Sequence, residues 1–313
     1  MEIPVYLFTG FMDSGKTSLI RQTLIENDFG EGSKTLLIVC EDGDIEYDET
    51  ELLSHQTKIA YLTSEEEFSY ENLTKLSETY QPNQVFIEYN GTWEMSLFTE
   101  TQLPKNWILV QSLATVDSTT FDMYLTNMRA MILEQLFLAD AVIINRCDAD
   151  TPKGKYRRAI KALNRKAQIV YEREDGTIDE NEMEEMPFDL NQDTIPITDD
   201  DYGIWYLDAL DHPKKYEGKK VNFLALVYRP DKMKSGTLVP GRFAMTCCED
   251  DITFIGFKCK TDEANNIPHK SWINITAKIK VEFAKEYKGK GPVLYAEKIE
   301  SAQKPEDDLI YFN

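Results

Sequence analysis

Thr9-Gly10-Phe11-Met12-Asp13-Ser14-Gly15-Lys16-Thr17-Ser18 fits the pattern G-x-x-x-x-G-K-[ST] and directly follows the apolar run Ile3-Pro4-Val5-Tyr6-Leu7-Phe8. In such a loop, glycines let successive backbone N–H groups turn inward around a polyphosphate. Gly10, Ser14, Gly15 and Ser18 are candidates for that cradle, Lys16 for neutralising the terminal phosphates, and the Thr17 hydroxyl for holding Mg²⁺. The apolar run predicts a buried strand, and residues 17–25 predict a helix whose N-terminal end faces the anion. Asp13 places a negative charge inside the loop, which predicts weakened nucleotide affinity or faster exchange.

Outward from the loop, residues 1 to about 175 alternate short β-branched runs with helical stretches. Strands are predicted at 35–40, 58–62, 84–88, 107–117 with an irregular centre, 141–145 and 167–171. Helices are predicted at 70–80, 127–138 and 156–163. Such alternation implies βαβ units and a parallel sheet covered on both faces. Residues 172–203 are acidic and poor in periodic apolar positions, and they read as a linker or solvated helix plus loop. Beyond them five alternating strands, near 221–228, 242–248, 253–259, 272–281 and 293–296, suit a small barrel or sandwich. The expected architecture is an α/β phosphate-loop NTPase with a mostly parallel sheet over 1–175, an acidic linker over 176–203 and a small all-β domain over 204–313.

Composition narrows the function classes. The net charge is −21, and it is uneven: residues 1–203 carry 39 acidic and 16 basic side chains, residues 204–313 carry 16 and 18. An acidic front half disfavours nucleic acid and anionic lipid, because each phosphate contact needs a cation. The near-neutral back half offers aromatics for base stacking but no electrostatic funnel, so nucleic-acid binding is not expected there either. Five cysteines and the lack of an 18-residue apolar stretch point to a reducing, cytosolic setting.

Two further segments bear on chemistry. Val85-Phe86-Ile87-Glu88-Tyr89-Asn90-Gly91 ends a strand with a carboxylate and offers a glycine three residues on. Glu88 is therefore a candidate to act on Mg²⁺ or its waters, and the Gly91 N–H to sense a γ-phosphate. Ile143-Ile144-Asn145-Arg146-Cys147-Asp148 resembles the N-K-x-D element of GTPases. There an Asp carboxylate accepts guanine N1–H and the 2-amino group, which would make Asn145 and Asp148 the base-selecting pair. A strand-end Asn and Asp could equally cap the next helix.

Together these residues resemble the CobW branch of metal-handling GTPases, related to the UreG and HypB proteins. The resemblance covers residues 1 to about 175. It includes Cys40-Glu41-Asp42-Gly43 at an N-E-F-G-like stretch, Glu88 and Gly91 at E-T-T-G, Val116-Asp117, and Asn164 with Ala167 at an N-P-x-A element beside the base. It implies Mg²⁺-dependent GTP binding, slow hydrolysis assisted by Lys16 and Glu88, metal delivery or sensing, a metal-receiving partner, and dimerisation around nucleotide. One departure is that residues 61–67, Tyr61-Leu62-Thr63-Ser64-Glu65-Glu66-Glu67, lack the C-x-C-C motif usual in the family.

Leu238-Val239-Pro240-Gly241-Arg242-Phe243-Ala244-Met245-Thr246-Cys247-Cys248, followed by Gly256, is similar to an uncharacterised OB-like domain otherwise found with putative membrane permeases. The resemblance makes a permease a second possible partner. Cys247 and Cys248 are candidate ligands for a transition metal such as zinc. Adjacent strand residues point to opposite faces, so a shared ion needs a bulge, and buried structural thiols are the alternative. Two other functions fit a phosphate loop: a small-molecule kinase, and a non-hydrolysing regulatory partner of a permease.

Overall fold

The computed structural model describes residues 2–26, 29, 32–41, 47–179, 186–230, 233–245, 251–284 and 287–312. Contacts divide the chain into two compact units, Met1–Lys153 with Leu163–Glu182, and Gly154–Ala162 with Met183–Asn313.

Among the described residues the first unit carries seven strands: β1 (Ile3–Thr9), β2 (Thr35–Val39), β3 (Thr57–Tyr61), β4 (Gln84–Glu88), β5 (Trp107–Asp117), β6 (Ala141–Cys147) and β7 (Gln168–Arg173). All pair in parallel, in the order β3-β2-β4-β1-β5-β6-β7. Covering both faces of a parallel sheet requires continuous apolar strands. β2 and β4 meet this, with every residue buried. The irregular centre of β5 is a register shift, in which Val5 pairs with Leu109 but Tyr6 with Gln111.

The helices of this part of the chain are α1 (Lys16–Arg21), α2 (Glu49–Ser54), α3 (Tyr70–Tyr80), α4 (Met95–Glu100), α5 (Ser118–Asn127), α6 (Arg129–Leu136) and α7 (Lys153–Leu163). α1 is shorter than predicted, because a π turn at Gln22–Glu26 replaces its second half. α5 lies in a stretch where no helix was expected. The Asp117 carboxylate accepts from Thr119 N–H to cap it, and Phe121 and Leu125 face the core. Residues 154–162 of α7 count with the second unit, where Arg157 pairs with Asp211 at 3.2 Å.

The second unit contains β8 (Ile195–Pro196), α8 (Asp199–Asp211), β9 (Lys220–Tyr228), β10 (Thr237–Met245), β11 (Ile252–Gly256), β12 (Cys259–Lys260), β13 (Trp272–Ala284), β14 (Gly289–Ser301) and β15 (Leu309–Tyr311). β9, β10, β12, β14 and β13 pair in a closed circuit, because β13 and β10 both pair with β9. The β12–β14 pairing is parallel and the other four are antiparallel. Strict alternation along β9 sends Val221, Phe223, Ala225 and Val227 inward. A register shift at Thr276/Ala277 interrupts the long β13–β14 ladder, a bulge of the kind that bends a strand.

The expected linker differs from what the fold contains. Phe188, Ile195, Ile197 and Tyr202 are buried in the core of the second unit, and residue 204, the expected start of the β domain, falls inside α8. Of the acidic runs that suggest solvation, residues 180–185 lie outside the described residues and residues 199–201 form the first turn of this helix. Thr198 caps it, and Asp199, Asp200 and Asp201 sit where the helix dipole favours negative charge. Among the described residues no helix is long and apolar enough to cross a membrane.

Candidate nucleotide site

Four adjacent strands, β4, β1, β5 and β6, bring their C-terminal ends together, the edge at which open α/β sheets place ligands. Three glycines make the close approaches possible. Gly10 has φ +126°, and a Cβ there would lie 2.3 Å from Thr115 O on β5. Gly15 has φ +100° and forms the left-handed N-cap of α1, with no side-chain cap on the first-turn amides. A Cβ on Gly91 would lie 2.4 Å from Gly10 O, so the segment after β4 touches the phosphate loop backbone to backbone.

Inside the loop Lys16 is buried, and its ammonium donates to Gly10 O and Phe11 O, both at 2.8 Å. It also pairs with Glu41 Oε2 at 2.6 Å. The other carboxylate oxygen, Glu41 Oε1, accepts from the Gly91 N–H at 3.2 Å. Glu88 is buried beside them; its Oε1 accepts from the Thr17 hydroxyl and its Oε2 from the Tyr47 hydroxyl, each at 2.6 Å. Burial pushes the Glu88 carboxyl above the ordinary glutamate value, against the opposing effects of the Thr17 and Tyr47 hydrogen bonds and of Lys16. The Tyr47 hydroxyl is pushed up as well, first by burial and then by the Glu88 charge.

The remaining candidates divide. Ser14 is buried, with its hydroxyl 2.7 Å from Thr115 Oγ1, whereas Asp13, at φ +59°, and Ser18 are exposed. Asn145 Nδ2 donates to Ser14 O at 2.7 Å, tying the base motif to the phosphate loop. Arg146 takes a left-handed φ of +54°, pairs with the Asp117 carboxylate and donates to Asp13 O at 3.1 Å. Asp148 is exposed after β6, and its Oδ1 accepts from Asp150 N–H at 3.0 Å and Thr151 Oγ1 at 2.9 Å.

Asn164, expected beside the base, has both ends of its amide committed to the main chain. Its Nδ2 donates to Leu136 O, Phe137 O and Ala139 O, and its Oδ1 accepts from Ala167 N–H. That is the work of a clamp on the end of α6 and on the 164–167 turn.

Cys247 and Cys248 lie outside the described residues, as do Asp42 and Gly43. Cys40, Cys147 and Cys259 are buried and unbridged. Burial pushes the Cys259 thiol up to about 12, which suits an inert core thiol. Among the described residues no three His, Cys, Asp or Glu side chains converge to hold a metal ion.

Sequence reasoning gave no role to Glu41 and passed over Tyr47. Glu41 did stand in a quoted motif. The available signal was a carboxylate one residue beyond a buried strand that pairs with β4. Tyr47 had no sequence signal.

The model of the CobW/HypB/UreG nucleotide-binding domain matches residues 4–171, and the model of the DUF1980 C-terminal domain matches residues 173–312. The chain is 23% identical over 117 residues to the UPF0703 protein YcgQ of Bacillus subtilis, covering 37% of this chain and 41% of that protein. It thus spans about two fifths of that relative. Among solved structures, the Zn(II)-bound YjiA GTPase from E. coli aligns with a TM-score of 0.44 and 22% identity, over 57% of this chain and 60% of that one. The hydrogenase maturation factor HypB from Archaeoglobus fulgidus aligns with a TM-score of 0.38 and 17% identity, over 54% and 80%. With more than half of its length matched, the chain belongs to the CobW/HypB/UreG family of nucleotide-binding domains.

Proposed function

We propose that this protein binds GTP with Mg²⁺, hydrolyses it slowly, and couples its nucleotide state to the handling of a metal ion. The observation that carries this reading is the meeting of Lys16, Thr17, Glu88 and Gly91 at the ends of β1 and β4, with Asn145 reaching the same loop from β6. Lys16 and the amides of residues 10–18 take the phosphates. Thr17 and Glu88 fit Mg²⁺, since a hydroxyl and a carboxylate 2.6 Å apart are the hard oxygen donors that ion accepts. When bound, the ion supplies neutralisation of the phosphate oxygens.

Glu88, held by Tyr47, orients the attacking water, and the Gly91 N–H senses the γ-phosphate. Asp148 selects guanine, with Asn145 fixing the motif to the loop. Hydrolysis is slow because the guanidinium that touches the loop, Arg146, is held by Asp117 and Asp13 O and supplies no charge to the transferred phosphate. Cys247 and Cys248 are proposed as ligands for a transition metal such as zinc, and the second unit, read as an OB-like barrel, as the part that meets a metal-receiving protein or a permease. A nucleotide-linked homodimer completes the reading.

Calorimetry of the full chain with Mg²⁺ is expected to give heat with GTP and far less with ATP, and phosphate release should be slow and dependent on Glu88. Heat with neither GTP nor GDP removes the reading. GTP binding without any turnover favours a regulatory partner, and preference for ATP with phosphate appearing on a small acceptor favours a kinase. Metal analysis after anaerobic purification tests the metal assignment separately.

A further inference from the structure

We infer that Glu41 determines the preference of this site for triphosphate against diphosphate, because its carboxylate holds, from within the protein, two contacts that a terminal phosphate needs. The inference rests on the phosphate-binding reading of Lys16 and Gly91, though not on the identity of the base.

Hydrogen counting carries the argument. An ammonium has three N–H donors, and those of Lys16 face Gly10 O, Phe11 O and Glu41 Oε2. The Gly91 amide has one hydrogen, and Glu41 Oε1 accepts it. The two oxygens of one carboxylate therefore bridge a side-chain cation and a backbone donor, as two oxygens of a phosphoryl group would. Both Lys16 and Glu41 are buried, so water does not compete for these contacts.

The placement of Glu41 follows from the strand ends. Cys40 N–H donates to Glu88 O at 2.9 Å, and Cys40 O accepts from Asn90 Nδ2 at 3.0 Å. The chain is thus fastened to β4 and the residues after it on both sides of residue 40, and the next side chain reaches Lys16.

A β-phosphate can recruit Lys16 by drawing its hydrogens from the Gly10 and Phe11 carbonyls while the Glu41 contact persists. A γ-phosphate that takes the single Gly91 hydrogen must displace Glu41, and must approach a pocket where Glu41 and Glu88 already put two carboxylates against one ammonium. The opposition therefore falls on the triphosphate.

The test is calorimetry with Mg²⁺ on the wild-type chain, Glu41→Gln and Glu41→Ala, using GTP, GDP, ATP, tripolyphosphate and pyrophosphate. Glu41→Gln keeps the shape and loses the charge. It is expected to tighten GTP and tripolyphosphate about tenfold or more, the scale of one charge-assisted hydrogen bond, and GDP and pyrophosphate less than about threefold. Glu41→Ala should move the same way, and thermal melting identifies a variant that fails to fold.

A ratio of triphosphate to diphosphate affinity that does not rise overturns the inference. So does a fall in triphosphate affinity, since Glu41 would then help to hold the ligand. If wild type fails to prefer GTP over ATP, the guanine reading fails while the base-free ligands still decide the role of Glu41. No heat with any ligand for any of the folded proteins overturns both.

Discussion

At the ends of β1 and β4, one ammonium and two carboxylates are buried together: Lys16 is 2% exposed, Glu41 8% and Glu88 2%. In the second unit Arg242 is buried just as completely, but its partner Asp199 has a side chain 45% exposed, and the Lys220–Glu297 and Lys260–Glu282 pairs involve partly exposed side chains throughout. Taking both members of an ion pair out of water costs several kcal/mol per ion before their attraction is counted. Where one partner stays wet, as Asp199 does, that partner's share of the cost is largely avoided. The first arrangement is therefore poor as a stabilising device and good as a site, because a buried charge cluster has a strong demand for a new partner. The second anchors a single cation in a barrel wall.

The largest expected effect follows from removing the shared cation. Lys16→Met keeps a similar volume but leaves Glu41 and Glu88 without their counter-ion. Urea unfolding should show a loss of about 3–5 kcal/mol, and GTP affinity should fall at least about a hundredfold. Adding Glu41→Gln to Lys16→Met should recover part of the stability, since one of the two stranded charges is gone. Full additivity of the two substitutions would break the picture of one coupled cluster.

Glu88→Gln separates stability from chemistry. Because the native Glu88 carboxyl lies above its ordinary value of 4.5, the folded chain binds this proton more tightly than the unfolded chain. Its contribution favours the fold below the unfolded value and is lost as pH rises through the native one. Glu88→Gln, which stays neutral, should melt above wild type at pH 7–8, with the gap closing toward pH 4. GTP hydrolysis should drop about 10²–10⁴-fold. A melting difference that is flat with pH would remove Glu88 as a buried, strained carboxylate.

Asp148→Asn is a smaller change at an exposed position. Its expected signature is a loss of GTP over ATP discrimination of about tenfold to a hundredfold, with stability within about 0.5 kcal/mol of wild type. Competition binding of the two nucleotides measures the first and thermal melting the second.

How much of this was legible in the sequence depended on whether the signal was local. The phosphate loop, the strand ending at Glu88 and the strand ending at Asn145 are contiguous patterns, and the seven-strand sheet follows from apolar runs that a parallel sheet must have. The Lys16–Glu41 contact joins residues 25 positions apart and exists only because β2 lies beside β4. Tyr47 reaches Glu88 across 41 positions with no pattern around it. The second unit was misjudged at its start for a different reason: composition averages hid four buried side chains among the acids of residues 186–203. Asn164 shows the converse, a residue whose motif suggested a ligand contact while its amide satisfies backbone carbonyls at a helix end.

The smallest expected effect bears hardest on the contrast between the two buried cations. Arg242 donates to Asp199 and to Asp307 O, and its guanidinium lies 5.2 Å from the Trp272 ring centroid. Its Nε is buried and has no hydrogen-bond partner among the described residues. Arg242→Met loses the cation–π contact, worth about 0.5–2 kcal/mol. It also removes that donor and the desolvation of the guanidinium, while Asp199, nearly half exposed, rehydrates. The net change should stay within about 1.5 kcal/mol in either direction, against about 2–4 kcal/mol lost in Arg242→Ala, where a cavity opens. Urea unfolding of the two variants beside Lys16→Met decides the matter. If Arg242→Met costs as much as Lys16→Met, burial of the cation alone sets the penalty and the exposure of its partner is irrelevant. If it is near neutral, the cost at the phosphate loop belongs to the stranded carboxylates, the groups whose demand for a counter-charge the nucleotide site depends on.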